Sequence, residues 1–412
     1  MNRGAVVALA LLAVLGGLGL GMFAAMAAGP SASGPAGSGL LAGLGSALPA
    51  SGPPASPSPA AGASGAPSGD PSASLPAPPS VAPSPTPTPR PSLVAAPLTG
   101  RLVTPAAAAR RPIAVMIDDQ FDARPQSGFS SASIVWQAPA EGGIPRYMLI
   151  FQETIPTDVG PVRSARYYYI AWAAELRALY VHAGGSPQAL ATLRAQGNGQ
   201  LVYNADEFRW GNSFRRINWK FAPHNLYSTG KQLRGIASTV GASDGPIKWP
   251  WKFARDAALG WRPVGGRIVV SYLANVIRYD YDRKSNTYLR SVTGEKRQLD
   301  EATKRRVAPK NVIVMQVRFG PLNDGHPNKH RLEADIVGSG PAWISTNGIT
   351  IKGTWKKTST KSPTRFFDRA GKPVVLTIGQ TFIQVMKTTD AIKFTPGKPA
   401  PPDPMPNGNV PL

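Results

Sequence analysis

Hydrophobic and polar residues follow different patterns along the chain, and the changes in pattern divide it into segments. Residues 1–28 carry one positive charge near the start and are otherwise uncharged and mostly apolar. This pattern predicts a cleaved signal peptide or a membrane anchor, and either would direct the rest of the chain out of the cytoplasm. Residues 29–106 are rich in proline, alanine and serine, cannot form a core, and predict a disordered stalk.

Short apolar runs alternate with segments of helical periodicity over residues 107–245, which predicts a mixed α/β N-terminal domain. An aromatic-faced helix is expected after an N-cap at Ser164, a second helix after Ser186, and a third after Ser228 or Thr229. Short apolar runs, typical of buried strands, occupy residues 112–117, 132–137, 144–152 and 178–182.

After residue 264 the hydrophobic pattern changes to a period of two. We expect residues 264–390 to form a mainly antiparallel β domain, joined to the first by a Trp/Pro-rich linker at 246–263 and followed by a disordered tail at 391–412. The predicted strands are 268–273, 277–281, 288–292, 312–317, 332–336, 342–345, 349–354, 365–368 and 381–385. The predicted fold class is therefore α+β.

Composition excludes several kinds of chemistry and suggests a kind of partner. The chain has no cysteine, so it forms no disulfide, no cysteine-ligated metal site and no lipid-modified cysteine. Its net charge is +22, nearly all of it after residue 110, which favours an anionic cell-wall or membrane-surface component as partner. A generally arginine-rich composition would explain the charge equally well. No nucleic-acid-binding motif accompanies the charge, which argues against nucleic acid.

A histidine, two glycines and a serine come between a predicted strand and a predicted helix. Free N–H groups at such a helix start bind anions, and two arginines one element upstream could reach the same place. The alternative is a tight turn with an N-cap. The residues of this candidate anion site are Arg163, Arg166, Gly184, Gly185 and Ser186.

Other polar positions near predicted strand ends extend this candidate site. Glu141 and Arg146 could face the same crevice or form a simple surface pair. Polar loops contribute Arg124, Gln126 and Asn225 as further candidate ligand contacts.

The two histidines of the first domain are the candidates for acid–base chemistry. His182 or His224 could act as general base with Asp118 or Glu141 as its acid partner. They lack HxxxH or HExxH spacing, so we predict no metal site and no cofactor. Ser186 lacks the context of an activated nucleophile. Whether the protein is an enzyme stays open.

Several strings occur in the order found in one family. They are RPQSG at 124–128, EGG at 141–143, GPVRSAR at 160–166, HAGGSP at 182–187, APHNLY at 222–227, NVIVMQV at 311–317, VGSG at 337–340, GTWKK at 353–357 and GQTFIQV at 379–385. The chain thereby resembles the YerB family, bacterial extracytoplasmic lipoproteins made of a two-part domain of unknown function. The resemblance implies an α+β domain followed by a β-rich one, and it brings no established activity. Unlike that family, this chain lacks the lipid-bearing cysteine.

The leading hypothesis is a bacterial cell-envelope protein, secreted or anchored by its N-terminal helix, that binds an anionic wall glycan or polymer in an arginine-rich crevice. One alternative is a hydrolase or transferase that acts on envelope material. Another is a structural adaptor that has no ligand pocket.

Overall fold

The computed structural model describes residues 92–400, so the predicted signal or anchor, residues 29–91 of the predicted stalk and the end of the tail lie outside the described residues. We call residues 92–245 the N-terminal half and residues 246–400 the C-terminal half. The α-helices of the described residues are α1 (Pro105–Ala109), α2 (Tyr167–Ala174), α3 (Pro187–Gln196), α4 (Glu207–Trp210) and α5 (Gly230–Thr239).

Strands make up most of the remaining regular structure. In the N-terminal half they are β1 (Val94–Ala95), β2 (Leu102–Val103), β3 (Ile113–Asp118), β4 (Ile134–Ala138), β5 (Arg146–Phe151), β6 (Leu179–His182), β7 (Tyr203–Asp206), β8 (Arg215–Arg216) and β9 (Leu226–Tyr227). In the C-terminal half they are β10 (Lys252–Ala254), β11 (Arg267–Ser271), β12 (Val276–Asp282), β13 (Thr287–Val292), β14 (Asn311–Val317), β15 (Phe319–Pro321), β16 (Leu332–Ala334), β17 (Gly338–Thr346), β18 (Ile349–Lys357), β19 (Arg365–Asp368), β20 (Val375–Thr377), β21 (Thr381–Lys387) and β22 (Ala391–Thr395).

One ten-stranded sheet runs through both halves, in the order β19-β18-β17-β14-β21-β4-β5-β3-β6-β7. The halves meet where β21 pairs in parallel with β4, with Thr381 opposite Ile134. A separate four-stranded sheet, β13-β12-β11-β22, belongs to the C-terminal half and is antiparallel throughout. The predicted α+β class, mixed in the first half and mainly antiparallel in the second, is confirmed.

The ten-stranded sheet has a hydrophobic core on each of its faces. On one face Trp136 and Trp172 stack with ring centroids 4.6 Å apart, and Ile313 joins the same cluster. On the other face Phe129 stacks on Phe382 at 6.0 Å. The two cores are therefore separated by the sheet, and each takes side chains from both halves. Central strands covered on both faces have continuous apolar sequences, which is why the sequence pattern located β3 and β4.

Two predicted boundaries are wrong. Residues 94–103, assigned to the stalk, form β1 and β2, because Leu98 is buried in the core and Thr99 donates a hydrogen bond to Glu153 at 2.8 Å. Residues 391–395, assigned to the tail, form β22, which pairs with β11 along its whole length.

The helix starts follow the capping signals with one exception. The Ser186 hydroxyl accepts a hydrogen bond from the Ala189 amide at 3.3 Å and begins α3, as predicted. Thr229 begins α5 with a complete capping box. Helix α2 starts after Arg166 and not after Ser164, because residues up to 166 are extended and pair with other strand ends.

A buried arginine connects the two sheets. Arg290 of β13 is fully buried, and its guanidinium group donates to Gln137 of β4 at 2.7 Å and to the Tyr279 hydroxyl at 2.9 Å. Gln137 in turn donates to the carboxylate of Asp119 at 2.6 Å, and Asn275 donates to the same oxygen at 3.2 Å. Because a buried charge needs such partners, this network fixes the four-stranded sheet against the ten-stranded one.

Replacing Arg290 with methionine is expected to lower the free energy of unfolding by about 3–5 kcal/mol, because Gln137 and the Tyr279 hydroxyl would lose their buried cationic donor and Arg124 would be the remaining cation beside Asp119. Urea denaturation measures the change. The matched control is Arg278→Met on β12, where an exposed guanidinium pairs with Asp280 and the loss should stay below about 1 kcal/mol. Equal losses in the two variants would contradict the role given to the network.

Candidate functional site

The predicted site residues gather at one edge of the ten-stranded sheet. Strands β3, β4, β6 and β7 run in one direction, and β5 runs in the opposite direction between β3 and β4. The last residues of β3, β6 and β7 therefore lie at the same edge of the sheet as the first residue of β5, and we call this the carboxyl edge. These residues are Asp118, His182, Asp206 and Arg146. Ligands of open α/β sheets bind outside the carboxyl ends of the strands, so this is the expected position for a site.

The segment between Val162 and Arg166 crosses the carboxyl edge and connects the ends of β3 and β6. The Arg163 amide donates to Met116 O at 2.9 Å, and the Arg163 carbonyl accepts from Ala183 N at 3.1 Å. These bonds hold the backbone of the segment in an extended form. They thereby fix the position from which the side chain of Arg163 leaves the sheet edge.

Asp118, His224 and Arg163 form a contiguous charged group. One carboxylate oxygen of Asp118 lies 2.7 Å from Nδ1 of His224 and 3.1 Å from Nε of Arg163, while the Gln120 amide donates to the other oxygen at 3.1 Å. Burial alone would raise the pKa of Asp118, but the His224 hydrogen bond and the Arg163 charge outweigh it, and the pKa lies below its ordinary value. Asp118 is therefore an ionised anchor for both neighbours.

The ring of His224 is oriented by its carboxylate partner. A carboxylate next to Nδ1 assigns the proton of the neutral ring to Nδ1 and leaves the Nε2 lone pair free. Nε2 has no hydrogen-bond partner within residues 92–400, and about 10% of the side chain is exposed. Lys220 lies in the loop that precedes His224. Its ammonium group fixes this loop by donating to the carbonyls of Ala123 and Pro125 at 2.7 and 2.6 Å.

Arg163 presents its terminal amino groups outward. About 27% of the side chain is exposed, and its only contact with an acidic group in residues 92–400 is through Nε to Asp118. The two terminal nitrogens accordingly have no hydrogen-bond partner within the described residues. Such a guanidinium end is shaped to receive a phosphate or carboxylate through two parallel hydrogen bonds.

Glu141, Arg146 and Arg166 form a second charged group beside the first. Glu141 contacts Arg166 directly and Arg146 at 3.4 Å, and Arg146 also donates to the Ser164 carbonyl at 3.0 Å. Burial alone would raise the pKa of Glu141, but the two guanidinium groups keep it below its ordinary value. With Asp118 and Arg163 the two groups carry three positive and two negative charges, so an anion is favoured over a cation.

The helix-start part of the predicted anion site needs correction. The Gly184 amide donates to Asp206 at 3.0 Å, and the Ser186 amide donates to Ala165 O at 3.2 Å, so two of the three amides are occupied by acceptors within the protein. Only the Gly185 amide has no acceptor within residues 92–400. The turn therefore serves mainly to tie β6 and β7 to the crossing segment.

His182 is also corrected as a candidate general base. Its ring is fully buried, with Nδ1 2.8 Å from the Gly184 carbonyl and Nε2 2.7 Å from the side-chain oxygen of Asn204. Both ring nitrogens are therefore used within the protein. Of the two candidate histidines, only His224 has a nitrogen left for a ligand.

Three other predicted contacts hold the protein together and do not face a ligand. Arg124 is a buried partner of Asp119 at 3.1 Å, and Gln126 is fully buried and donates to Asp118 O at 2.9 Å. The Asn225 side chain donates to Ile217 O at 3.1 Å and accepts from Arg216. Their polar groups are satisfied by the protein, which corrects their assignment as ligand contacts.

Asp206 was missed by the sequence reasoning. It ends β7, holds the Gly184 amide, and begins α4 by accepting from Phe208 N at 3.4 Å. The signal was available, because a short alternating run followed by an aspartate at a helix start is typical of a strand leading into an N-cap. The aromatic and basic loop after it hid that pattern.

The large cavities of the C-terminal half lie away from the carboxyl edge. Cavities of about 580 to 780 Å³ in the described part of the chain are lined by residues between 247 and 397, and none of them is a predicted site residue. Within the same residues, no group of three or more His, Asp or Glu side chains is placed to hold a metal ion.

The chain belongs to a family of proteins of unknown function. Residues 98–243 match the family described as "Protein of unknown function (DUF3048) N-terminal domain", and residues 268–383 match its C-terminal domain. The relative named "Putative lipoprotein YerB", from Bacillus subtilis (strain 168), is 31% identical over 314 residues, which cover 74% of this chain and 89% of the relative. The crystal structure of YerB protein from Bacillus subtilis superposes with a TM-score of 0.64 at 28% identity, covering 73% of this chain and 99% of that one. The predicted family is confirmed.

No helix between residues 92 and 400 is long and apolar enough to span a bilayer. The segment for which a signal peptide or an anchor was predicted lies outside those residues.

Acid is expected to weaken the folded state partly through Glu141. Its folded pKa lies below the ordinary value, so its contribution to stability is present above that value and is lost as pH falls through the folded pKa. In Glu141→Gln the decrease in unfolding free energy between about pH 6 and pH 3 should be smaller than in the wild type. Urea denaturation across that range measures it, with the exposed Glu333→Gln as control. Identical pH profiles for wild type and Glu141→Gln would contradict the pairing.

Proposed function

We propose that this protein belongs to the bacterial cell envelope and binds an anionic envelope ligand at the carboxyl edge. Its relative is named as a lipoprotein, which supports an extracytoplasmic place close to a membrane. The uncharged, mostly apolar segment at residues 4–28, preceded by Arg3, supports the same location, as an anchor or an export signal. The proline-rich residues 29–91 would then hold the folded part away from the membrane.

The single observation that carries the ligand assignment is the outward-facing guanidinium of Arg163. Its inner nitrogen is held by Asp118, while its terminal nitrogens have no partner within residues 92–400. A fixed cation with free donors and a buried counter-carboxylate is preorganised for a second anion, because little side-chain freedom is lost on binding. Arg146 and Arg166 share the single carboxylate of Glu141, so this group carries one more positive charge than negative and also attracts an anion.

The spread of charges along the site suggests the kind of ligand. The guanidinium groups of Arg163, Arg146 and Arg166 follow the strand ends, so they can contact successive units of a polymer. A chain of phosphodiester or carboxylate groups, such as an anionic wall polymer or glycan, provides one acidic group for Arg163 and further ones for the positive surface around it.

Replacing Arg163 with glutamine should weaken the binding of soluble poly(glycerol phosphate) by about tenfold or more, because charge-assisted hydrogen bonds to the polymer are lost. Isothermal titration measures the affinity. Arg194→Gln removes the same charge from an exposed position of α3 that forms no ion pair within residues 92–400, and it serves as the control. Equal affinities for Arg163→Gln and Arg194→Gln would overturn the proposal, and no binding by the wild type would favour the structural adaptor.

The hydrolase or transferase alternative is supported by the Asp118–His224 pair. A carboxylate that orients an imidazole through Nδ1 leaves Nε2 able to take a proton from water or a sugar hydroxyl, which is the arrangement of a general base. Arg163, adjacent to the same carboxylate, could hold the acidic group of the substrate next to that nitrogen.

If this alternative is right, the protein releases soluble fragments from purified wall material, and His224→Gln slows that release by about 100-fold or more. Mass spectrometry of the supernatant detects the products. His182→Gln is a poor control because that ring is buried, so His326→Gln, an exposed histidine of the C-terminal half, is the matched variant. Release that persists in His224→Gln would exclude this histidine as the base.

A further inference from the structure

A cavity in the C-terminal half is unrelated to the carboxyl edge. It has a volume of about 780 Å³ and lies between the segment around residues 247–250 and the ends of β18 and β19. We call it the linker pocket and define it by six of its lining residues, which are Lys248, Trp249, Pro250, Lys356, Arg365 and Phe367. Its size is that of a ligand-binding cavity.

The linker pocket contains an uncompensated pair of like charges. Lys356 of β18 and Arg365 of β19 lie directly opposite each other in the antiparallel register. Directly opposed like charges destabilise a sheet. Both side chains are exposed, and neither forms an ion pair within residues 92–400. An anion bound between them would remove the repulsion.

A third cation reaches the linker pocket from the opposite wall. Lys248 is exposed on the segment that faces the two strands, and it has no ion pair within the described residues. No aspartate or glutamate lines the cavity. Three cations without a carboxylate give a local field that selects an anionic ligand.

Two aromatic side chains, Trp249 and Phe367, also line the linker pocket. Trp249 is only partly buried and packs against Trp251, with ring centroids 5.1 Å apart. Trp251 is itself fixed, because its indole N–H donates to the Thr364 carbonyl at 2.8 Å. Phe367 forms another wall, beneath the Arg365 guanidinium at 5.4 Å. Flat apolar faces that are held in place suit the stacking of a ring-shaped ligand body.

We propose that the linker pocket binds an acidic oligosaccharide. The aromatic face of Trp249 would contact a sugar ring, Phe367 would support the Arg365 guanidinium that lies over it, and Lys248, Lys356 and Arg365 would bind the acidic groups. The proposal does not rest on the function of the carboxyl edge, because the two sites share no residue. Anion binding would explain why Lys356 and Arg365 lie opposite each other although their repulsion lowers the stability of the sheet.

The test combines an affinity and a melting temperature. In Lys356→Glu a cross-strand ion pair with Arg365 replaces the repulsion, so the melting temperature should rise by about 1–2 °C. The same variant should bind the probe trigalacturonate at least about tenfold more weakly than the wild type. A residue that only protects an exposed strand from aggregation would not change the affinity, since glutamate also keeps that strand charged.

The control and the probes decide the outcome. Lys352→Glu changes an exposed lysine of the same strand that lies outside the linker pocket, and it should leave trigalacturonate binding unchanged. Maltotriose, a neutral trisaccharide, should bind at least about tenfold more weakly than trigalacturonate. The proposal is overturned if the wild type does not bind trigalacturonate, if it binds maltotriose equally well, or if Lys356→Glu binds as tightly as Lys352→Glu.

Discussion

The buried charge of Arg290 is the constraint on which the rest of the structure depends. Its guanidinium lies between the two sheets and donates to Gln137, which in turn donates to Asp119. Asp119 is a fully buried carboxylate that also pairs with Arg124. Burial raises the pKa of Asp119, and the nearby arginines oppose that rise. Asp119 directly follows Asp118 in the chain. The network that joins the halves therefore also fixes the backbone from which the candidate site is built.

This arrangement explains why two family domains form one folded unit. Strands β4 and β21 pair in parallel, Gln380 of the C-terminal half donates to Phe129 O at 2.6 Å, and Lys357 forms a buried ion pair with Glu175 at 2.8 Å. Separating the halves would expose both apolar cores and leave these polar groups unpaired. A rigid unit keeps the charged residues of the carboxyl edge in one geometry, which favours binding because little order has to be gained.

The sequence predicted the parts of the fold that depend on local signals. Ser186 and Thr229 carry side-chain caps, and the apolar runs of β3 and β6 are continuous, so their elements were found. The pairing of β4 with β21 could not be predicted, because the paired residues are more than 240 positions apart in the sequence. Nothing in the sequence of either strand indicates which strand it pairs with.

The sequence identified many of the residues near the candidate site, but it did not predict which of their side chains face outward and which face inward. Arg163 was expected beside Arg166 and the turn at residues 184–186, and His224 and Asp118 were candidates for an acid–base pair, but the contact of Arg163 with Asp118 was not predicted. Gln126 and His182 turned inward, because a polar string looks the same whether it binds a ligand or satisfies a buried backbone group. The most direct test is ¹⁵N NMR of histidine-labelled protein titrated with soluble poly(glycerol phosphate). The account predicts that the Nε2 resonance of His224 shifts to saturation while that of buried His182 stays unchanged, and an unchanged His224 resonance would contradict it.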